Sequence, residues 1–171
     1  MRLSQGVEWA VHACTVLAPL PPGRGLSLAA LADFHGVPQP YMAKQMQQLS
    51  KAGIVRTSRG KTGGYALARP ASAITLWDVT RALSGGEPLF HCSEIRQKGP
   101  CAAPRADCRR PCQIAAAFAS AETAWRQALQ AVTIADLVAR VAAEGSPERI
   151  GEVVAWLGAN VTELPGGERV R

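Results

Sequence analysis

A short glycine-rich basic stretch, residues 59–64 with the sequence Arg-Gly-Lys-Thr-Gly-Gly, restricts the fold of this chain more than any other feature. β-Prone residues occupy 54–58 before it and 65–68 after it, and this pattern predicts a β-hairpin. The tip of that hairpin is too polar and too rich in glycine to belong to a hydrophobic core. We therefore expect an exposed, flexible tip that carries two cationic side chains.

Three helical patterns precede the hairpin. Apolar residues recur at spacings of three and four over 3–18, which predicts a first helix. A second helix begins after Ser27, a suitable N-cap, and a third runs from about Pro38 to a stop at Gly53. Two helices, a turn, a third helix and a basic-tipped hairpin are the plan of a winged helix-turn-helix domain. We therefore predict a mainly α fold with a small β-hairpin wing.

Four more helices are expected in the second half of the chain. N-cap residues followed by apolar periodicity place them at about 75–83, 113–131, 133–138 and 146–159. Glycine, proline and four cysteines fill the interval before the long helix, which predicts a loop there. The predicted organisation is a winged helix-turn-helix domain at 1–84, a cysteine-containing loop at 85–112, helices at 113–160 and a disordered tail at 161–171.

The long helix over 113–131 carries an apolar stripe with many alanines. A single small winged-helix domain has little need for a helix of this length and composition. We therefore predict a dimerisation helix, with Phe118, Ala121 and Trp125 against the partner subunit.

Positive charge is concentrated in the first two-fifths of the chain. The net charge is +6; residues 1–70 carry eight basic and two acidic side chains, and residues 71–171 carry eleven of each. A basic half joined to a neutral half indicates a module that binds a polyanion. The sequence contains no nucleophile–base constellation, Walker loop or dinucleotide fingerprint, so we do not expect an enzyme.

The cysteines are clustered late in the chain. Cys14 stands alone, whereas the other four lie within 21 residues, at positions 92, 101, 108 and 112. No apolar run approaches the roughly 20 residues that span a membrane, and the N-terminus does not resemble a secretory signal. We therefore expect a cytoplasmic protein. Disulfides are disfavoured in that compartment, so the cluster indicates metal or redox chemistry.

Several stretches of the sequence resemble one family of bacterial regulators. They are 41–44 (Tyr-Met-Ala-Lys), the wing at 59–65 and 133–137 (Thr-Ile-Ala-Asp-Leu). The family is the winged-helix family of the iron–sulfur regulator IscR and the nitric-oxide sensor NsrR, and the resemblance covers about residues 1–140. The stretch 92–97 (Cys-Ser-Glu-Ile-Arg-Gln) is most similar to the redox-sensing RsrR branch. The resemblance implies a homodimeric repressor that binds double-stranded operator DNA under the control of a 2Fe–2S cluster.

DNA binding requires polar side chains at the start of a recognition helix, where they can enter the major groove. The third helix offers Gln39, Tyr41, Lys44, Gln45 and Gln48. Glutamine can bind adenine through two hydrogen bonds, and lysine can reach guanine or phosphate. At the wing tip, Arg59 and Lys61 would reach a neighbouring minor groove or phosphates.

Two ligand sets are open for the metal. The cysteine spacings match no paired zinc framework, and they differ from the compact three-cysteine loop of IscR-like and NsrR-like proteins. One set is cysteine-only and is drawn from Cys92, Cys101, Cys108 and Cys112. The other is implied by the RsrR-like resemblance and combines Cys92 and Cys112 with His35 and Glu8.

Physical arguments favour the mixed set. Glu8 neighbours the apolar face of the first helix, where an unpaired carboxylate is costly, and His35 directly precedes the turn before the third helix. Nitrogen and oxygen ligands raise the reduction potential of iron relative to thiolate, which suits a reversible one-electron switch. The alternatives are a structural zinc site made by the four late cysteines and a cluster-free disulfide switch.

Overall fold

Within residues 3–58 and 63–164, which a computed structural model describes, the chain forms seven α-helices and one antiparallel sheet of four short strands. The helices are α1 (Gln5–Leu17), α2 (Leu28–His35), α3 (Gln39–Lys51), α4 (Leu76–Ser84), α5 (Gln113–Gln130), α6 (Ile134–Glu144) and α7 (Pro147–Asn160). The strands are β1 (Arg24–Leu26), β2 (Val55–Ser58), β3 (Gly64–Leu67) and β4 (Val161–Glu163). All seven predicted helices are confirmed. No helix in these two ranges is long and apolar enough to cross a membrane.

Local capping explains where the helices begin. The Ser27 hydroxyl accepts a hydrogen bond from the backbone of Ala30 at 3.1 Å, which starts α2. Thr75 and Thr133 each form a capping box with the aspartate three residues later, at the starts of α4 and α6. Gly36 ends α2 in the left-handed conformation, with φ of 61°. These signals are local, which is why the sequence predicts the helix starts well.

The core lies where α1 crosses α3 and the sheet. Fully buried side chains from α1 and α3, among them Cys14, Met42 and Leu49, form one cluster with Leu26 of β1. Burial of these side chains is the main stabilising term for the winged domain. The helix-turn-helix is thereby fixed rigidly to α1.

The sheet confirms the predicted hairpin and extends it by two strands beyond β3. β2 pairs with β3, from Val55 opposite Leu67 to Ser58 opposite Gly64, and the strand order is β2-β3-β1-β4. The hairpin tip, including Arg59 and Lys61, lies outside the described residues. β1 was not predicted, because a three-residue strand is defined by its partners rather than by a local pattern.

The prediction of a disordered tail over 161–171 is wrong for its first residues. β4 pairs with β1 in register from Arg24 opposite Glu163 to Leu26 opposite Val161. Leu164 is 5% exposed, and its N–H donates to the carbonyl of Gly23 at 2.8 Å. The pairing joins residues about 137 positions apart in the sequence, so no local signal could reveal it. Residues 165–171 lie outside the described ranges.

Helix α5 has no buried residue along its 18 positions. It is attached to α4 through Trp125, whose ring lies 5.6 Å from that of Trp77 at 86°. Trp125 is half-buried against Trp77 of its own chain, and its predicted contact with a partner subunit stays a prediction. The other face of α5 is open, with Ile114 63% and Phe118 51% exposed.

Candidate DNA-binding surface and cysteine site

The start of α3 presents a polar, outward-facing edge. Gln39 and Lys44 are exposed, Tyr41 is 57% exposed, and Gln48 is half-buried. Pro40 at the first turn fixes the backbone where the helix begins. This edge has the side chains and the position that a recognition helix needs.

Gln45 is the exception among the predicted base-reading residues. Its side chain is 7% exposed, and its amide nitrogen donates to the carbonyl of Tyr41 at 3.1 Å. The amide also fills the space above Gly6 of α1, where a Cβ would lie 2.7 Å from its Oε1 atom. The prediction that Gln45 contacts bases is therefore wrong, because the side chain is committed to the contact between α1 and α3.

Gln47 is a candidate that the sequence analysis missed. It is exposed, and it follows Lys44 by three residues, which puts the two side chains on neighbouring positions of one helix face. Its position three residues after Lys44 on a predicted helix is the sequence pattern that could have identified it. The exposed edge of α3 thus continues beyond the first turn through Gln47.

Cys92 and Cys112 are brought together by the fold. Their Sγ atoms lie 3.8 Å apart although the residues are 20 positions apart in the sequence. Cys112 is the N-cap of α5, and its sulfur accepts a hydrogen bond from the backbone of Ala115 at 3.2 Å. This bond lowers the pKa of Cys112, and Cys92 and the cation of Arg96 act in the same direction.

The other three cysteines lie apart from this pair. Cys101 is exposed, Cys108 is half-buried, and neither is in a disulfide. Cys14 is buried in the core, and burial raises its pKa to about 12, so its thiol is unreactive at neutral pH.

His35 holds an unsatisfied nitrogen next to the helix-turn-helix. Its Nε2 atom is buried without a hydrogen-bond partner among the described residues. The ring lies against Phe34, with centroids 4.9 Å apart, and 5.7 Å from His12. Burial first, and then the charge of His12, lower the pKa of His35 to about 4. The imidazole is therefore neutral at pH 7, the form that can bind a metal.

One chain assembles only part of the predicted ligand set. Glu8 is exposed on α1, beside a cleft that includes Val11 and His12. Among the described residues, no group of three or more His, Cys, Asp or Glu side chains lies close enough to hold a metal ion. Cys92 and Cys112 therefore meet without Glu8 or His35. The alternative zinc site made by four late cysteines is likewise not formed.

The sequence matches the profile of the Rrf2 family, described as an iron-dependent transcriptional regulator, over residues 3–140. The chain belongs to the Rrf2 family. Rrf2 proteins are DNA-binding transcription regulators and not enzymes, which agrees with the winged helix-turn-helix and the polar edge of α3. Regulators of this family are typically dimeric.

Solved Rrf2-like structures share the fold at low identity. The global cysteine regulator CymR of B. subtilis is 22% identical, with a TM-score of 0.62, over 82% of this chain and 98% of that chain. IscR of T. potens is 22% identical, with a TM-score of 0.59, over 88% of this chain and 96% of that chain. The oxidised form of S. aureus CymR is 23% identical, with a TM-score of 0.59, over 81% of this chain and 96% of that chain.

Proposed function

We propose that this Rrf2 protein is a homodimeric, cytoplasmic repressor whose affinity for operator DNA is set by the redox state of a 2Fe–2S cluster. Cys92 and Cys112 of one protomer would bind one side of the cluster. The partner subunit's Glu8 and the partner subunit's His35 would bind the other side. The division between subunits is supported by the finding that one chain does not bring the four side chains together.

The separation of the two cysteine sulfurs carries the proposal. Two thiolates on one tetrahedral metal, with metal–sulfur bonds of about 2.3 Å, stand about 3.8 Å apart. The Cys92 and Cys112 sulfurs lie 3.8 Å apart. Hydrogen bonding that lowers the pKa of Cys112 also favours the thiolate, the form of cysteine that binds metal.

The chemistry of His35 and Glu8 fits the remaining positions. His35 has a half-buried, neutral imidazole whose Nε2 atom is buried and has no hydrogen-bond partner among the described residues. Glu8 offers an exposed carboxylate on the neighbouring helix. When bound, the cluster would supply reversible one-electron transfer, at a potential that nitrogen and oxygen ligands raise. The two cysteines would hold the cluster, and His35 and Glu8 would connect it to the DNA-binding domain.

His35 is well placed to transmit a change. It is the last residue of α2, and α3 begins four residues later at Gln39. Two recognition helices must meet successive major grooves about 34–36 Å apart, so a small rotation at His35 alters the fit to DNA. The Glu8 carboxylate is an anionic ligand and would bind a more negatively charged, reduced centre less favourably. We therefore propose that the oxidised form binds DNA tightly and the reduced form weakly.

The test is visible absorption of protein purified without oxygen. Cys92→Ala or Cys112→Ala should abolish the visible bands, because each removes one of the two converging thiolates. Cys101→Ala and Cys108→Ala are the matched controls and should keep the bands. The mixed ligand set would be refuted in favour of a cysteine-only set by two results together. Cys101→Ala or Cys108→Ala protein would be colourless, and Glu8→Ala and His35→Ala protein would keep the parental spectrum.

A cluster-free thiol switch is the second candidate function. The same two sulfurs, 3.8 Å apart, need only a short approach to form a disulfide. A lowered pKa at Cys112 favours the thiolate that begins such an exchange. Parent protein that purifies colourless and binds DNA differently after oxidation of Cys92 and Cys112 would favour this function.

A further inference from the structure

The loop that carries the cysteine pair has no hydrophobic core of its own. Every residue from 85 to 112 is exposed or half-buried. Burial of apolar surface, which holds the winged domain together, therefore contributes little to bringing Cys92 and Cys112 into contact. Just before Cys92, the Phe90 ring stacks on Phe118 of α5 and the Leu89 N–H donates to Glu122. Between the two cysteines, the contacts that hold the loop are polar.

Arg96 makes the polar contacts that join the two ends of this loop. Its guanidinium binds the Glu94 carboxylate through two hydrogen bonds, of 2.6 Å from Nε and 2.9 Å from Nη2. Nη2 also donates to the carbonyl of Arg110 at 3.0 Å, two residues before Cys112. The Arg96 carbonyl accepts from the backbone of Ala103 at 2.8 Å. One residue thus ties the segment after Cys92 to the segment that returns to Cys112.

Glu94 adopts a conformation that needs such support. Its φ is 50° and its ψ is 48°, and among the described residues it is the only non-glycine with positive φ. The left-handed conformation is unfavourable for a side chain with a Cβ and persists where surrounding contacts hold it. Glu94 turns the chain two residues after Cys92, and its carboxylate is held by Arg96 in that turn.

We propose that Arg96 is the positioning residue of the cysteine site, holding the Cys92 segment against the segment that leads into Cys112. Its importance for regulation rests on the proposed function, in which these two cysteines work as a pair. A guanidinium suits this role because its planar fork can bind a carboxylate and a carbonyl at once, which the ammonium of lysine cannot reproduce. The ion pair is partly exposed and lies outside the hydrophobic core, so its effect is on the geometry of the loop and not on global stability.

The test measures how close the thiols are held, without any metal. Full-length protein with Cys101→Ser and Cys108→Ser is stripped of metal and equilibrated with mixtures of reduced and oxidised glutathione. As the Cys92–Cys112 bond forms, the two thiols lose two electrons and two protons, and one glutathione disulfide takes them up as two glutathione thiols. The midpoint is the glutathione redox potential at which half of the protein carries the Cys92–Cys112 disulfide. It gives the effective concentration of one thiol near the other.

Arg96→Gln should weaken the closed disulfide at least tenfold, a shift of about 30 mV toward more oxidising potentials. Arg109→Gln is the matched control, because it removes the same charge from an exposed side chain in the same loop, and it should keep the parental midpoint. Arg96→Lys should behave like Arg96→Gln, because a lysine ammonium keeps the charge but cannot bind the Glu94 carboxylate and the Arg110 carbonyl at the same time. Glu94→Gln should shift the midpoint in the same direction.

Equal midpoints for Arg96→Gln, Arg109→Gln and the parent would overturn the proposal. A parental midpoint for Arg96→Lys, or a parent pair that closes in no glutathione mixture, would overturn it as well. All variants should unfold at the parental temperature, since the loop lies outside the core. Reconstitution of the parent with ferrous iron and sulfide is the separate test of the cluster: a colourless parent would refute the cluster and leave the glutathione result to decide on Arg96.

Discussion

At the residue scale, Lys44 and Gln45 are neighbouring polar residues of α3 with opposite environments. Lys44 faces out, whereas Gln45 is 7% exposed and bonded to the backbone of Tyr41. The difference follows from the turn of about 100° between successive helix positions, and from the missing side chain at Gly6, which leaves room for the Gln45 amide. A polar residue in a recognition helix can thus serve the fold rather than the DNA.

Gln45→Ala should therefore lower the free energy of unfolding by about 1–2 kcal/mol, through a lost buried hydrogen bond and lost packing. The Gln45→Ala protein should discriminate between operator sequences as well as the parent protein does. Chemical denaturation and competition binding measure the two effects. Lys44→Ala is the comparison: stability should be kept, while affinity for every sequence falls and the salt dependence decreases by about one unit of slope. Relaxed base preference in Gln45→Ala would contradict the burial argument.

At the element scale, α5 has two different faces. One lies on α4 through Trp125 and Trp77, and Arg126 adds its guanidinium 4.9 Å from the Trp77 ring. The other shows Ile114 and Phe118 to solvent, although Phe118 also stacks on Phe90 at 4.4 Å. A helix without a buried residue in its own chain needs a second surface to cover its apolar side, which is our reason for proposing the dimer there.

Phe118→Glu should convert the dimer into a monomer, because it places an unpaired charge in that interface. Sedimentation velocity measures the change. Gln127→Glu is the matched control on the same helix, since it adds the same charge at an exposed polar position, and it should remain dimeric. Phe118→Glu that sediments as a dimer would move the interface away from α5.

At the scale of the whole molecule, the last described strand packs onto β1 of the winged domain. Leu164 closes over β1 near Gly25, where a Cβ would lie 2.6 Å from the Leu164 side chain. Trp156 of α7 packs edge-on against Phe34, with centroids 4.8 Å apart, beside the proposed ligand His35. The last helix and strand, which lie beyond the matched family region of 3–140, therefore brace the DNA-binding domain.

Leu164→Ala should lower the free energy of unfolding by about 2–4 kcal/mol, because it leaves a cavity where the buried Leu164 side chain packs against Gly25 and Gly64. Denaturant unfolding followed by circular dichroism gives the value. Glu163→Ala is the control: its side chain is 79% exposed and pairs with the half-exposed Arg24, so a loss of about 0–1 kcal/mol is expected. A loss for Leu164→Ala as small as the about 0–1 kcal/mol expected of the control would show that Leu164 does not brace the sheet.

The sequence by itself determined the seven helices, the hairpin and the type of DNA-binding domain. Each depends on interactions between residues a few positions apart, such as the caps at Ser27, Thr75 and Thr133, and these are visible as patterns along the chain. The resemblance to iron–sulfur regulators also led to the right family, because its motifs lie within continuous stretches.

Only the tertiary structure decided which side chains meet across long separations. The pairing of β4 with β1 joins positions about 137 residues apart, the contact of Cys92 with Cys112 spans 20 residues, and the burial of Gln45 depends on Gly6 of another helix. No local pattern encodes such contacts, because they arise when elements pack and each partner is supplied by a different part of the chain.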